Sequence, residues 1–243
     1  MKLIKLVALC TSLFLATQSH AQRNPNNPFD RIGEQHNYIL DAFFTDQSHE
    51  TIGDVITTQT IADYMCSKFR DVDCNTIKQA LNNELFRTLK GKTLIESEGF
   101  LQDKGYVTAR HAFYVQQIND IIENHLQEDY IVCFKAFLEL EDQLAIDPQI
   151  SQAEKNYLYY ATSIARYSTK FWKDVETGVA RYPSIGNPGG QLPCCSWLKA
   201  LANADVQGSV TGGVAGGSVG ALAAGSCSSI ASGASSIWHS LWN

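Results

Sequence analysis

The amino-acid sequence predicts an all-α fold, a bundle of about five to seven helices followed by a glycine-zipper C-terminal helix or helical hairpin. Apolar residues recur at spacings of three and four along most of the chain, as they do on one face of a helix. No run alternates apolar and polar residues in the way that a half-buried strand would. In about the last forty residues, small residues recur at every fourth position, which allows a second helix to approach closely.

Amphipathic stripes mark the helices of a predicted body, residues 22–177. In chain order, the stripes cover residues 27–44, 52–69, 73–91, 107–126, 130–144 and 151–175. Asn27-Pro28 and Asp73 are suitable starts for two of these helices, because Asn and Asp side chains cap free amides and proline fits the first turn. Residues 92–105 fit either a short helix or a loop.

A linker at residues 178–193 separates this body from a predicted tail, residues 194–243, because its repeated prolines and glycines disfavour a regular element. The last charged residue of the tail is Asp205. Two rows of small residues lie on adjacent faces of the predicted tail helix: one contains Gly208, Gly212, Gly216 and Gly220, and the other contains Gly213, Gly217 and Gly225. A break at residues 226–229 would divide the tail into a hairpin.

The first residues, 1–21, have the pattern of a cleavable signal peptide. Lys2 and Lys5 precede an apolar stretch, and Ser19-His20-Ala21 supplies small residues at the expected cleavage site. Loss of the two lysines lowers the net charge from -6 to -8. We therefore expect an exported protein, whether periplasmic, envelope-associated or secreted, and one whose acidic charge disfavours nucleic acid as a partner.

Export favours disulfide bonds between the remaining cysteines. Cys66 and Cys74 flank a short charged link and could join two helices, while Cys194 or Cys195 could tie the tail to the body. The spacing does not decide the pairing. Since no CxxC pair or histidine-rich cluster accompanies these cysteines, we expect neither a metal site nor a cofactor.

The sequence contains no HExxH, GxSxG, P-loop or GxGxxG motif in the context of a strand, so we assign no catalytic residue and expect a non-enzymatic protein. His36 in the first apolar stripe, with Asn37 beside it and Asp41 nearby, is the best candidate for a polar site. Asp41 lies five positions after His36 and therefore on another helix face. A core histidine with one hydrogen bond is the preferred interpretation, and an enzyme that uses His36 or a cysteine is the third alternative.

Three blocks carry a resemblance: NPFDRIGEQHNYILD, SIARYSTKFW and WLKALANADVQGSVTGG. In them the chain resembles a group of uncharacterised exported bacterial proteins with GxxHNxxLD and ARYSxxxW blocks and a glycine-rich tail. The resemblance implies a shared, all-helical, exported architecture. It implies no activity and assigns no catalytic residue.

The tail suggests that the protein acts through membrane interaction or self-association, as a bacteriocin-like or toxin-like factor would. Trp238 and Trp242 suit a membrane interface, and Gly189-Gly190 matches a double-glycine processing site ahead of the tail. The main alternative is an envelope-associated helical binding protein whose tail packs on its own body. A flexible low-complexity tail is the remaining interpretation.

Overall fold

The structure, a computed structural model, describes residues 23–46, 57–68, 73–126, 130–180, 182 and 196–242. Within these ranges the chain forms nine α-helices and no strand, so the all-α prediction is confirmed. The helices are α1 (Asp30–Asp46), α2 (Thr58–Lys68), α3 (Cys74–Asn82), α4 (Glu84–Leu89), α5 (Leu94–Asp103), α6 (Ala109–His125), α7 (Tyr130–Ile146), α8 (Gln152–Glu176) and α9 (Ser196–Trp242).

Several predictions lie outside the described residues. These are the signal peptide at residues 1–21, the linker from residue 183 onward, and Cys194 and Cys195. The side chains of Trp238 and Trp242 are also outside the described set. The proposed roles of these segments therefore stay predictions.

Capping side chains define several helix ends. Asp73 caps α3 by accepting a hydrogen bond from the amide of Asn75, as the sequence predicts. Capping boxes begin α5 and α8, with Thr93 and Ser151 as the respective N-cap residues. The C-cap of α8 is Thr177, after which Gly178 adopts a φ of 71°, a conformation that glycine accepts without strain.

Local hydrogen bonds also explain two departures from the predicted helices. The first helix begins at Asp30 and not at Asn27-Pro28, because the side chain of Asn27 accepts a hydrogen bond from the amide of Phe29 at 2.8 Å and forms a turn. The stripe at residues 73–91 divides into α3 and α4 because Asn83 ends one helix and caps the next. The uncertain segment forms α5, so the described body has eight helices.

The tail folds as a helical hairpin. Gly216 and Gly217 interrupt α9 with non-helical dihedral angles, and the φ of 63° at Gly217 is one that glycine adopts readily. We call residues 196–215 the first arm and residues 218–242 the second arm. The chain reverses between these arms, whereas residues 226–229, the predicted point of division, are helical.

The hairpin lies in the core of the molecule. It packs most extensively on α8 and also contacts α1 through α6. Val206 and Ile230 of the two arms belong to the same hydrophobic cluster as Leu40 of α1 and Trp172 of α8. The body and the tail therefore share one core, although the sequence separates them by composition.

A glycine in α5 provides a test of local helix stability. Gly99 is helical, and an added Cβ would meet nothing within 4 Å. We expect Gly99→Ala to raise the free energy of unfolding by about 0.5–1 kcal/mol, because alanine loses less backbone entropy on folding. Gly105 has equal space but a φ of 72°, so Gly105→Ala should destabilise the protein. Urea denaturation measures both changes, and a loss of stability in Gly99→Ala would contradict the expectation.

Candidate functional site

The first glycine row holds the two hairpin arms together by backbone contact. A Cβ added at Gly212 would lie 2.1 Å from the carbonyl oxygen of Gly220, and one added at Gly208 would lie 2.4 Å from that of Ala224. Both distances are far shorter than a van der Waals contact, so only glycine fits at these positions. Gly216 belongs to the same sequence row but lies at the turn. A Cβ added there would lie 3.5 Å from the Cβ of Ala80, an ordinary contact.

The second glycine row faces the body. A Cβ at Gly213 would lie 3.2 Å from the ring of Tyr160, and one at Gly225 would lie 3.1 Å from the side chain of Ile164. Both neighbours belong to α8. One row therefore packs arm against arm, and the other packs the hairpin against the longest body helix.

A buried carboxyl group lies at the contact between the hairpin and α8. Asp205 of the first arm is fully buried. Its Oδ2 accepts hydrogen bonds from the hydroxyl of Ser168 and from the indole Nε1 of Trp172, the latter at 3.1 Å. Burial raises the pKa of Asp205 to about 7, although the polar groups of Ser168, Ser229 and Trp172 near the carboxyl group partly oppose this change.

A buried histidine from α1 faces the same carboxyl group. The Nε2 of His36 lies 3.9 Å from the Oδ2 of Asp205, and neither side chain has solvent exposure. Burial lowers the pKa of His36 to about 4, against smaller opposing contributions from the side chain of Asn37 and the backbone of Gly225. We call His36, Ser168, Trp172, Asp205 and Ser229 the His36–Asp205 cluster. It joins α1, α8 and both hairpin arms.

Asp41 and Asn37 take other partners. Asp41 is exposed at the opposite side of α1, where it accepts a hydrogen bond from the hydroxyl of Tyr182 at 2.8 Å. Asn37 donates to the carbonyl oxygen of Tyr167 at 2.7 Å, in addition to its contact with the ring of His36. The carboxyl group near His36 is therefore that of Asp205. Its position as the last charge before a long uncharged stretch is the sequence signal that could have identified it.

A second buried network joins the first two resemblance blocks. Arg166 of α8 is fully buried and pairs with Asp30 of α1 and with Glu141 of α7. Asn27 donates to Glu141 at 2.7 Å, and the hydroxyl of Tyr167 donates to Asp30 at 3.2 Å. The two carboxylates compensate the buried positive charge of Arg166. Because the three charged groups lie on different helices, the network fixes α1, α7 and α8 relative to one another.

A cavity of about 1170 Å³ lies beside this network. Its polar wall comes from the N-terminal segment and α1, and its apolar side includes Ile39, Met65 and Leu222 of the hairpin. The charged residues at the cavity have both signs: Arg23, Asp30, Arg31, Glu34 and Lys68. The cavity therefore shows no preference for an anionic or a cationic ligand.

The His36–Asp205 cluster lacks the arrangement of a nucleophilic site. The hydroxyl of Ser168 donates to Asp205, and the imidazole of His36 does not accept it. Among the described residues, no group of three or more His, Cys, Asp or Glu side chains could hold a metal ion. The cluster therefore offers buried proton-binding groups and no access for a substrate.

The described cysteines are unreactive in this fold. A disulfide bond joins Cys66 of α2 to Cys74 of α3. Cys133 and Cys227 are free and buried, and burial raises their pKa to about 12 and about 11, respectively. The thiolate form that a cysteine nucleophile needs is thus suppressed at neutral pH.

These features define an all-α protein built around a buried helical hairpin with no Asp, Glu, Lys or Arg beyond Asp205. No protein-family model matches the chain, and neither the curated proteins nor the solved structures give a match. The resemblance to exported bacterial proteins therefore stays a prediction. Among the described residues, one helical segment, Trp197–Gly233, is long enough to cross a membrane and contains an 18-residue stretch with a mean hydropathy of 1.3, but the buried core helix of a water-soluble protein meets the same criterion.

Proposed function

We propose that this protein is an exported, non-enzymatic factor that acts on membranes, and that the body stores the hairpin in a water-soluble form. The observation that carries the proposal is the placement of a hairpin uncharged after Asp205 inside a shell of amphipathic helices. Such a shell hides apolar surface until a lipid surface replaces it.

The hairpin is suited to leaving the body as a unit. Its arms contact each other through backbone at Gly208, Gly212 and Gly220, and these contacts do not involve any body helix. Helical backbone is also hydrogen-bonded within its own segment, which is the condition for entering hydrocarbon. Of the two glycine rows, only the second would exchange a body surface, that of α8, for lipid. The apolar side chains of both arms would also leave α1 through α6.

Membrane interaction is favoured over self-association by the same contacts. Away from the turn at Gly216 and Gly217, the first row is occupied by the opposite arm and the second by α8, so neither row offers a continuous face to another copy while the hairpin is docked. Assembly through the second row would first require release from α8. A bacteriocin-like or toxin-like activity would be consistent with this order of events.

A second candidate function has its own support. The cavity beside α1 and the hairpin is large enough for a small molecule, which fits an envelope-associated binding protein whose hairpin never leaves the core. In that case the glycine rows serve packing alone.

A disulfide staple between the hairpin and the body tests the proposal. A Cβ at position 216 would lie 3.5 Å from the Cβ of Ala80, within the range of about 3.5–4.5 Å that a disulfide requires. We expect oxidised Ala80→Cys/Gly216→Cys protein not to bind uncharged phosphatidylcholine vesicles, and the reduced form to bind and release an entrapped dye. Flotation and dye leakage at pH 7.5 and 5.0 measure these effects.

A second staple provides the matched control. The Cβ of Ala221 lies 3.8 Å from a Cβ added at Gly213, so Gly213→Cys/Ala221→Cys joins the arms without tying the hairpin to the body. This protein should bind vesicles when oxidised. Wild-type protein with and without reductant controls for opening of the native Cys66–Cys74 bond. Failure of all folded forms to bind vesicles at both pH values would overturn the proposal and favour the second candidate.

A further inference from the structure

We propose that acid releases the hairpin: His36 takes up a proton once the hairpin leaves α1, and Asp205 enters the lipid in its neutral form. This inference rests on the proposed membrane function and adds its trigger. It is carried by the position of one imidazole between a body helix and both hairpin arms.

The groups that face this imidazole cannot compensate a cation. From α1, it contacts the side-chain oxygen of Asn37, and from α8 the neutral side chains of Ser168 and Trp172 bind the carboxyl group of Asp205 beside it. From the hairpin, it faces Asp205 and the backbone of Gly225. In the described part of the chain, Asp205 is the one ion-pair partner within reach of His36. Since burial raises the pKa of Asp205 to about 7, this partner is itself neutral in mild acid.

Release removes that constraint on His36. With the hairpin gone, the buried face of α1 meets water, and the pKa of His36 returns from about 4 toward its ordinary value of 6.5. At pH 5, His36 is therefore protonated in the released state and neutral in the docked state. At pH 7.5, it is neutral in both states. The linkage through His36 favours the released state by about 30-fold at pH 5 relative to pH 7.5. Asp205 leaves this preference intact only where the hairpin passes into lipid and keeps the proton on Asp205, because in water the loss of that proton would oppose release.

Asp205 determines where the released hairpin can go. It lies near the middle of the first arm, whose 20 residues, 196–215, would extend about 30 Å, close to the thickness of the hydrocarbon layer. A charged carboxylate is strongly disfavoured there, whereas a protonated one is less costly. A carboxyl group that is already neutral in the docked state near pH 5 needs no further proton to enter lipid.

Vesicle binding of the full chain at two pH values tests the trigger. We expect wild-type protein to bind uncharged phosphatidylcholine vesicles at least about 30-fold better at pH 5.0 than at pH 7.5. His36→Gln should reduce this ratio to about fourfold, because glutamine takes up no proton and only the protonation of Asp205 remains. Asp205→Asn should bind the vesicles better than wild type at pH 7.5. It should keep the increase in binding at pH 5.0 that protonation of His36 provides. The vesicles are uncharged so that the change in the net charge of the protein with pH does not itself alter its attraction to the membrane.

Two controls separate the trigger from general effects of acid. His111→Gln removes another fully buried histidine, whose Nδ1 lies 2.8 Å from Glu98, and should keep the acid response. The oxidised Ala80→Cys/Gly216→Cys staple should abolish the response even with His36 in place, which covers the case that His36→Gln fails to fold. Equal wild-type binding at both pH values, or a full response in folded His36→Gln, would overturn the trigger while leaving the membrane function intact. Absence of binding by every variant would instead be a failure of the proposed function.

Discussion

Replacing Gly212 by alanine is expected to lower the free energy of unfolding by about 3 kcal/mol, although the change adds one methyl group. That methyl carbon would lie 2.1 Å from the carbonyl oxygen of Gly220, and the carbonyl belongs to the helical backbone of the opposite arm. No rotation of a side chain can relieve the clash, so the two arms must separate. Because the hairpin lies in the core, separation would also disturb its contacts with α8.

Gly216→Ala is the matched control for this prediction. Gly216 belongs to the same sequence row, but its φ of -152° is accessible to any residue and its added Cβ would make an ordinary contact with Ala80. We expect a change within about 0.5 kcal/mol. Thermal and urea denaturation of both variants at one pH give the comparison. Equal effects of the two substitutions would contradict the arrangement of the arms.

This contrast shows how far the sequence determines the hairpin. The spacing of small residues predicts two close-packed faces, because residues four apart lie on one side of a helix. The spacing does not predict which face meets which partner. That assignment depends on where the chain reverses: a reversal at Gly216–Gly217 places Gly212 against Gly220, and a reversal at residues 226–229 would place other residues there.

The polar cluster shows the same division between local and long-range information. The apolar stripe of α1 predicts that His36 is buried, and the structure places it in the core. Periodicity carries no information about Asp205, because that residue comes from a distant part of the chain and meets His36 only when the hairpin packs against α1 and α8. The capping residue Asp73 was predictable because its hydrogen bond lies within one turn.

The cluster also leads to a prediction about the stability of the docked fold: His36→Gln and Asp205→Asn should change its pH dependence in opposite directions. The pKa of Asp205 is raised from its ordinary value of 3.8 to about 7, so the folded protein keeps a proton that the unfolded chain loses between these values. Asp205 therefore contributes stability in acid that is lost as pH rises, by about 4 kcal/mol in total. The pKa of His36 is lowered from 6.5 to about 4, so its contribution is lost as pH falls, by about 3 kcal/mol.

In wild-type protein these two contributions oppose each other between about pH 4 and 7. The free energy of unfolding of Asp205→Asn, taken relative to wild type, should rise by about 3 kcal/mol from pH 4 to pH 7, and that of His36→Gln should fall by about 3 kcal/mol. Urea denaturation at closely spaced pH values measures both differences and cancels the titration of all other groups. For the double variant, the difference in the free energy of unfolding from wild type should stay nearly constant with pH, because the two changes cancel. If both single variants changed in the same direction, the two groups would not be buried together as neutral side chains, and the acid release of the hairpin would lose its physical basis.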